Sequence, residues 1–533
     1  MLAGCTARGL DGPINGEPTA VHLEAKGGGM SQRRLAVVIG AGVLMLLTSS
    51  TFASEPTYSL GVAPLTQVEP RDTTPAAADG ADRSGFLGRF FRAYYESFNP
   101  PPTVGIEPEP PRRALPAPFD SPPFPSAEYQ GYPLVGVPYS TPPSPLMKAL
   151  TGTPVGDFMN AHRLYLYGWI NAAANVSSSS LSNSPESYWL VPNTALLDQL
   201  VVRLERPVDS VQKDHVDWGF RSSFLYGSDY RYMTAGGWTS RQLLVHNQLY
   251  GYDFTEQYLD VYVPGIADGT IIRVGRWIAC PDIETQFAPD NYMGSHSILF
   301  TFDTYTQTGF MVTHLLNRQW MVQWGVHAGT DMAPWYTGAV PTGLIGVRWV
   351  APSNDDSVYL VLNAINTAKF QRFQLDGQPA GHDNFNYLVG TWQHRFNSAI
   401  HTKTEGYVMW QRDAVVGGTP SIGPVRSFGG GGGIGADLPG LSWTYGLVNY
   451  TMFAVSKRDY FTVRNEWWRD ERGERSGFAS TYTSHTIGWS HMLSDVVLMR
   501  PEIGYFHSYD AKAFDRGRKN YLWQFGLDVI ARF

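Results

Sequence analysis

The chain ends on an alternation that few folds can accommodate. Over Tyr521–Phe533, the side chains of Trp523, Phe525, Leu527, Val529, Ala531 and Phe533 share one face of an extended segment. Gln524, Gly526, Asp528 and Arg532 share the other, with Ile530 as the exception. A period of two marks a strand. An apolar face opposite a polar one needs lipid or a core on one side and water on the other. In a transmembrane β-barrel the apolar face meets lipid and the polar face the lumen.

Composition narrows the choice. Only 16% of the 533 residues are charged and 14% are aromatic, with 29 Tyr and 16 Trp. Ordinary soluble domains carry about a quarter charged residues. Apart from one N-terminal stretch, no uncharged apolar run is long enough for a helical span, which needs about 18 residues. Strands hide their lipid face from any hydropathy average, so a barrel reconciles these facts. The net charge of −7 argues against a nucleic-acid partner, which would want a basic surface.

The spacing of turns then counts the strands. Short connections occur around Asp209–Lys213, Ile266–Asp268, Asn317–Gln319, Ser353–Asp356, Asn397, Lys457–Asp459 and Ser494-Asp495. Long polar or glycine-rich stretches lie between them: Gly227–Gly251, Cys280–Thr306, Thr367–Asp383, Gly417–Leu441 and Arg472–Ala479. Tight periplasmic turns alternating with long extracellular loops are the barrel signature. The expectation is an all-β, antiparallel up-and-down barrel of about sixteen strands over 161–533, with both ends periplasmic. Pro501 sits inside the penultimate strand, where a missing N–H calls for a bulge. A chain ending on Phe533 after such alternation resembles the signal read by the outer-membrane assembly machinery.

Upstream, Met30 opens a secretory pattern: Arg33 and Arg34, an apolar run from Leu35 to Leu47, then Ala53 before Ser54. We expect a signal peptide over 30–53 and read 1–29 as an over-extended gene start. Cys5 then drops out, leaving Cys280 as one thiol and no disulfide. Residues 54–160 are expected to be largely irregular, since sixteen of the 37 prolines lie between Pro100 and Pro145. A short amphipathic helix over 85–98 interrupts this segment, with Phe86, Leu87, Phe90, Phe91, Tyr94, Tyr95 and Phe98 at helical spacing. It reads as a helix on the periplasmic rim, a membrane-surface anchor or a plug.

The stretch from Gly275 to Gly309 resembles the OmpL-like putative β-barrel porin family of the bacterial outer membrane. It carries Gly275-Arg276-Trp277, Ala288-Pro289-Asp290-Asn291-Tyr292, Ser295-His296-Ser297, Phe300, Phe302 and Thr306-Gln307-Thr308-Gly309. Arg500-Pro501-Glu502 also looks like the family's penultimate strand. The likeness runs loosely over 160–533 and departs from the pattern at Asp303-Thr304-Tyr305. It implies a barrel and an outer-membrane location but no reaction.

No catalytic, metal or cofactor signature is present. The glycines of Gly429–Gly433 lack the Lys-Ser/Thr of a phosphate cradle, and the histidines lack metal-ligand spacing. His296 between Ser295 and Ser297 makes no triad, and there is no Gly-x-Ser-x-Gly elbow. Charged residues do recur at inward-looking strand positions: Arg203, Glu205, Asp217, Arg221, Glu256, Asp260, Arg273, Arg348, Arg395, Lys403, Glu405, Arg464, Glu466, Arg500, Glu502 and Asp528. A Lys or Arg facing mid-bilayer lipid would cost about 2–4 kcal/mol, which turns them inward. There they either pair as a structural lumen or set up a field around a constriction. The aromatic loop Cys280–Thr306, with Asp290, Asn291, Tyr292 and His296, is the candidate constriction.

The expected function is a porin passing small hydrophilic solutes or ions, a chain of the outer membrane of a diderm bacterium and not an enzyme. Its expected partners are outer-membrane lipid, the assembly machinery and, by analogy, two further copies in a homotrimer. The alternative is a non-conducting barrel that anchors the envelope or a partner through its Pro-rich arm. A rim hydrolase would need a Ser/His pair that the sequence does not offer, and a soluble β-protein would have polar outer faces.

Overall fold

Strict alternation shapes sixteen strands into a closed antiparallel ring in the computed structural model. The structure describes residues 85–98, 111–118, 133–139 and 144–533, less 187, 234, 240, 245, 280–282, 337–338, 365–370, 376–377, 383–384 and 418–434. The leader at 30–53, the start at 1–29, Cys280 and the Gly429–Gly433 run lie outside them.

The strands are β1 Tyr165–Ser177, β2 Ala195–Arg206, β3 Asp217–Gly227, β4 Gly251–Val263, β5 Thr270–Ile278, β6 Thr306–Leu315, β7 Trp320–His327, β8 Thr342–Val350 and β9 Asp356–Ala364. A two-stranded hairpin, β10 Gln371–Leu375 and β11 Gln378–His382, lies within the next long loop. The ring resumes with β12 Asn386–Arg395, β13 Ile400–Val415, β14 Asp437–Ala454, β15 Asp459–Asp470, β16 Ser480–Ser494, β17 Val497–Ser508 and β18 Tyr521–Arg532. Each ring strand pairs with its neighbours, and β18 pairs with β1 from Trp169↔Arg532 to Ser177↔Gln524. Beyond that ladder, the Phe533 amide donates to Gly168 O (2.9 Å) and Gly168 N to Phe533 O (3.1 Å). Gly168 is required here, because a Cβ would lie 2.0 Å from Val201 O and 2.5 Å from the Phe533 ring.

The short turns form because side chains replace missing backbone partners. Asn397 Oδ1 accepts from Ala399 N and Ile400 N, Asn317 Oδ1 from Gln319 N and Trp320 N, and Ser494 Oγ from Val496 N and Val497 N. Both chain ends of the ring are at this end. Alternation sets the faces: Trp523 and Phe525 project outward and exposed, while Gln524 and Asp528 are buried within. The exception, Ile530, points inward and is buried in a cluster with Leu498, Tyr167, Trp169 and Phe287. No helix among the described residues is long and apolar enough to cross a membrane; the crossing elements are strands.

Two expectations are corrected. No bulge falls at Pro501: the β16–β17 register is unbroken from Gly488↔Glu502 to His491↔Met499, and the shift lies between Met492 and Ser494. The proline's missing donor is absorbed by a local gap in the ladder. The β13–β14 pair also runs into the stretch Gly417–Leu441 expected as loop, reaching Val415↔Asp437 across a shift at Arg412/Ala414. Asp413 takes a positive φ of 51° there, and its Oδ1 accepts from Gly440 N (2.8 Å), which lets the ladder continue past the irregularity.

Before the ring, helices span Phe86–Phe98, Pro145–Leu150 and Pro154–Ala161. The last two start at Ser144 and Thr153, whose hydroxyls accept from Met147 N and Gly156 N, each with proline in the first turn.

Candidate functional site

The loop joining β5 to β6 folds into the barrel, closed at its neck by Ala279 N donating to Tyr305 O (3.0 Å). A loop in a lumen must find acceptors for its backbone amides, and inward carboxylates supply them. Ile283 N donates to Glu405 of β13 (3.0 Å), and Gly294 N and Ser295 N to Glu502 of β17 (3.0 and 3.2 Å). Ile298 N and Leu299 N donate to Glu466 of β15 (3.0 and 2.6 Å). Strand β15 stands seven steps round the ring from β6 and eight from β5, so the loop reaches the opposite wall. Its carbonyls are held in turn: Arg464 donates to Ser295 O (2.8 Å), and Arg500 to Ala288 O (2.9 Å) and Asn291 O (2.6 Å).

Aromatic packing fills the space around this loop. His296 stacks on Tyr188 (ring centroids 3.7 Å apart) and on Phe300 (4.8 Å), Tyr188 stacks on Tyr232 (4.1 Å), and Phe302 lies against Trp468 (5.3 Å). Tyr188 and Trp189 come from the β1–β2 loop. Trp189 rests on Gly526 of β18, where a Cβ would lie 1.9 Å from the indole. His296 Nε2 meets Thr285 O (2.9 Å), Ser295 Oγ accepts from Arg464 (3.0 Å), and Ser297 Oγ donates to Glu284. Each of the three is therefore committed to holding the loop.

Of the other loop candidates, Asn291 braces the turn, accepting from Thr285 N (2.8 Å) and donating to Thr285 O (2.7 Å) and Phe287 O (3.0 Å). Tyr292 OH meets His401 Nε2 (2.5 Å) and its ring carries Lys403 Nζ 5.4 Å from the centroid. Asp290 ends a 3-10 turn and lies in the field of Arg532, Arg203 and Arg221.

Fifteen of the sixteen strand charges that alternation points to the lumen are at most 8% exposed: Arg203, Glu205, Asp217, Arg221, Glu256, Asp260, Arg273, Arg348, Lys403, Glu405, Arg464, Glu466, Arg500, Glu502 and Asp528. Removing a charge from water costs several kcal/mol unless paired and hydrogen-bonded, and pairing is what the structure provides. Arg203 meets Glu256 (2.7 Å); Arg221 meets Glu205 (2.7 Å) and Glu256 (3.2 Å); Arg273 meets Asp260 (2.8 Å) over the Tyr258 ring; Arg500 forks onto Asp528. The structure does not bring all sixteen together. Asp217 sits at the short-turn end with Arg206 and Arg163, and Arg395 lies at that rim against Asp355 (3.0 Å), partly exposed. Sequence reasoning missed the buried Arg276–Asp253 pair (2.8 Å) and Glu284. Strand parity marks Asp253 as inward, like Gly251; Glu284 is on a loop, where parity gives no sign.

At the short-turn end, residues 111–118 and 133–139 lie across the mouth. Arg113 donates to Val211 O (2.8 Å), Ser210 O (2.5 Å), Tyr262 OH (2.7 Å) and Asp268 O. Leu115 N donates to Arg318 O (2.7 Å), Leu115 O accepts from Arg348 (3.2 Å), and Pro118 O accepts from Arg395 (2.9 Å). Ala114 and Val135 are buried against Tyr262, Ile271, Leu315 and Met321. Between this segment and the wall lies a cavity of about 60 Å³ bounded by Leu134, Tyr139, Glu205, Arg221, Tyr258 and Asp260.

A family model described as "Putative beta-barrel porin-2, OmpL-like" matches residues 163–533. Among curated proteins none matches. Similar solved structures include OprB of Pseudomonas putida, at 11% identity and a TM-score of 0.45, covering 71% of this chain and 96% of that one. An anion-selective porin from Comamonas acidovorans has 9% identity and a TM-score of 0.41, covering 69% and 99%. The outer membrane channel DcaP of Acinetobacter baumannii has 10% identity and a TM-score of 0.41, covering 69% and 97%.

Proposed function

The chain belongs to the OmpL-like putative beta-barrel porin-2 family, and from that premise we propose passive diffusion of small hydrophilic solutes or ions through its barrel. It is an outer-membrane β-barrel of the porin kind, from a diderm bacterium. The observation that carries the transport reading is the charged inner face of a closed sixteen-strand ring, a size at which barrels enclose channels. The β5–β6 loop is the proposed constriction, and the charges it meets, of both signs, are the proposed selectivity elements. Because the loop crosses to the far wall, the route is narrow and the unit conductance small. Deleting Asp290–Ser297 tests the constriction: an unchanged conductance sinks it.

The proposal extends to a secretory leader over 30–53, surrounding lipid, assembly machinery that reads the strand ending at Phe533, and a homotrimer. A second reading, a non-conducting barrel anchored through its arm, is favoured by one observation: nearly all the strand charges are buried, and Arg203, Arg221, Arg273 and Arg500 are ion-paired. Planar-bilayer recording of refolded 54–533 separates the two. Stable ohmic steps support the pore; a silent barrel that is folded by gel mobility supports the anchor.

A further inference from the structure

The helix Phe86–Phe98 has three faces, and one of them is exposed among the described residues. Arg89, Phe90, Ala93, Tyr94 and Ser97 turn toward the body of the protein. Arg89 donates to Ala149 O (2.8 Å), Tyr94 OH to Arg532 O, and Ser97 Oγ to Ser494 Oγ (3.1 Å). These contacts place the helix on the ends of β16 and β18, at the short-turn rim. Arg92 and Glu96 lie on a second, polar side. Leu87, Phe91, Tyr95 and Phe98, spaced i, i+4, i+8 and i+11, form the third side and are 66, 66, 71 and 44% exposed.

Four large apolar groups in one stripe are costly in water, at about 25 cal/mol per Å² of apolar surface. A neighbouring surface shows what covers them. Ser494, which the helix touches, follows Leu493, one of the exposed outward residues of β16. Phe461 and Trp467 of β15 continue that lipid-facing side. The second rim helix, Pro154–Ala161, likewise exposes Val155 and Phe158 just before β1 begins. An apolar stripe, a separate charged side and a position at the strand ends match a helix lying in the membrane surface.

We propose that Phe86–Phe98 is an interfacial helix whose Leu87–Phe91–Tyr95–Phe98 face inserts into the periplasmic phospholipid leaflet beside β16–β18. It holds the start of the Pro-rich arm at the membrane, whether or not the barrel conducts. The test uses the full barrel chain in phosphatidylethanolamine–phosphatidylglycerol nanodiscs, open to solvent on both sides. With Cys280 replaced by Ser, an environment-sensitive fluorophore is attached through Phe91→Cys or, separately, Glu96→Cys. The Phe91 label is expected to emit blue-shifted and to be quenched several-fold more by lipid-borne nitroxide than the Glu96 label, with iodide showing the reverse order. A Phe91 label open to iodide overturns the proposal, and so does one shielded from both quenchers, which would mean burial in protein. A Leu87→Cys label provides a second reading if the Phe91 variant assembles poorly.

Discussion

Glu466 offers the sharpest handle on the inserted loop, because one carboxylate fastens its far end. It is 4% exposed and accepts Ile298 N (3.0 Å), Leu299 N (2.6 Å) and Ser484 Oγ (2.7 Å). In Glu466→Ala the serine hydroxyl can rotate to another acceptor, but two buried amides lose theirs. Hydrogen bonds to a charged group contribute about 1.5–3 kcal/mol each, so the 296–302 stretch should lose about 3–6 kcal/mol of local stability. The barrel ladder is untouched, and Glu405, Glu502 and Arg500 still tether the rest of the loop. Hydrogen exchange should therefore quicken at Ile298 and Leu299 by at least a hundredfold, while β15 and β16 stay protected. In bilayer recording the unit conductance should rise, with Glu466→Gln intermediate because one side-chain oxygen remains an acceptor. Unchanged exchange at those two amides in a folded Glu466→Ala barrel would refute the reasoning.

Arg113→Ala removes four hydrogen bonds to the barrel mouth. Limited proteolysis should then cut within 111–139 at enzyme levels that spare the wild type, with the barrel core intact. Arg500→Ala leaves Asp528 buried with Asn171 Nδ2 (2.8 Å) as its remaining hydrogen-bond partner among the described residues. The urea midpoint should fall by the equivalent of about 3–5 kcal/mol, and adding Asp528→Asn should restore part of it. Burial, and then the neighbouring Asp470, hold the Glu474 carboxyl well above its ordinary range in the β15–β16 loop. The folded loop thus binds a proton that the unfolded loop gives up near 4.5. Its protection should be full below that pH and decline as pH rises above it. Hydrogen exchange of 471–479 between pH 4 and 8 reads this, and in Glu474→Gln the decline should disappear.

Most of the ring was legible because its determinants are local. Asn317, Asn397 and Ser494 build their turns from contacts two or three residues away, so short connections announce themselves. Parity within each strand then assigns the faces. What parity lacks is height: Asp217 and Arg395 face the right way but sit at the rim. It lacks partners too. That Glu466 would meet amides 168 residues earlier, or that Arg113 would bridge two turns, depends on how a loop and an arm settle in a ring that sequence spacing only outlines. Ile530 broke its own strand's pattern for the same reason, answering to Phe287 from a distant loop.

The bonds between Phe533 and Gly168 have a temporal meaning. They join residues 365 positions apart, so the seam is the most distant pairing in the ring. Neighbouring hairpins form from local contacts, but the seam must wait until β18 reaches β1. Until then β1 and β18 both present open edges of the kind that invite foreign strands. Without β18 the sheet cannot close. Arrival of β18 is thereby a condition of closure, written into the geometry as a glycine that leaves room for the neighbouring strand and the Phe533 ring.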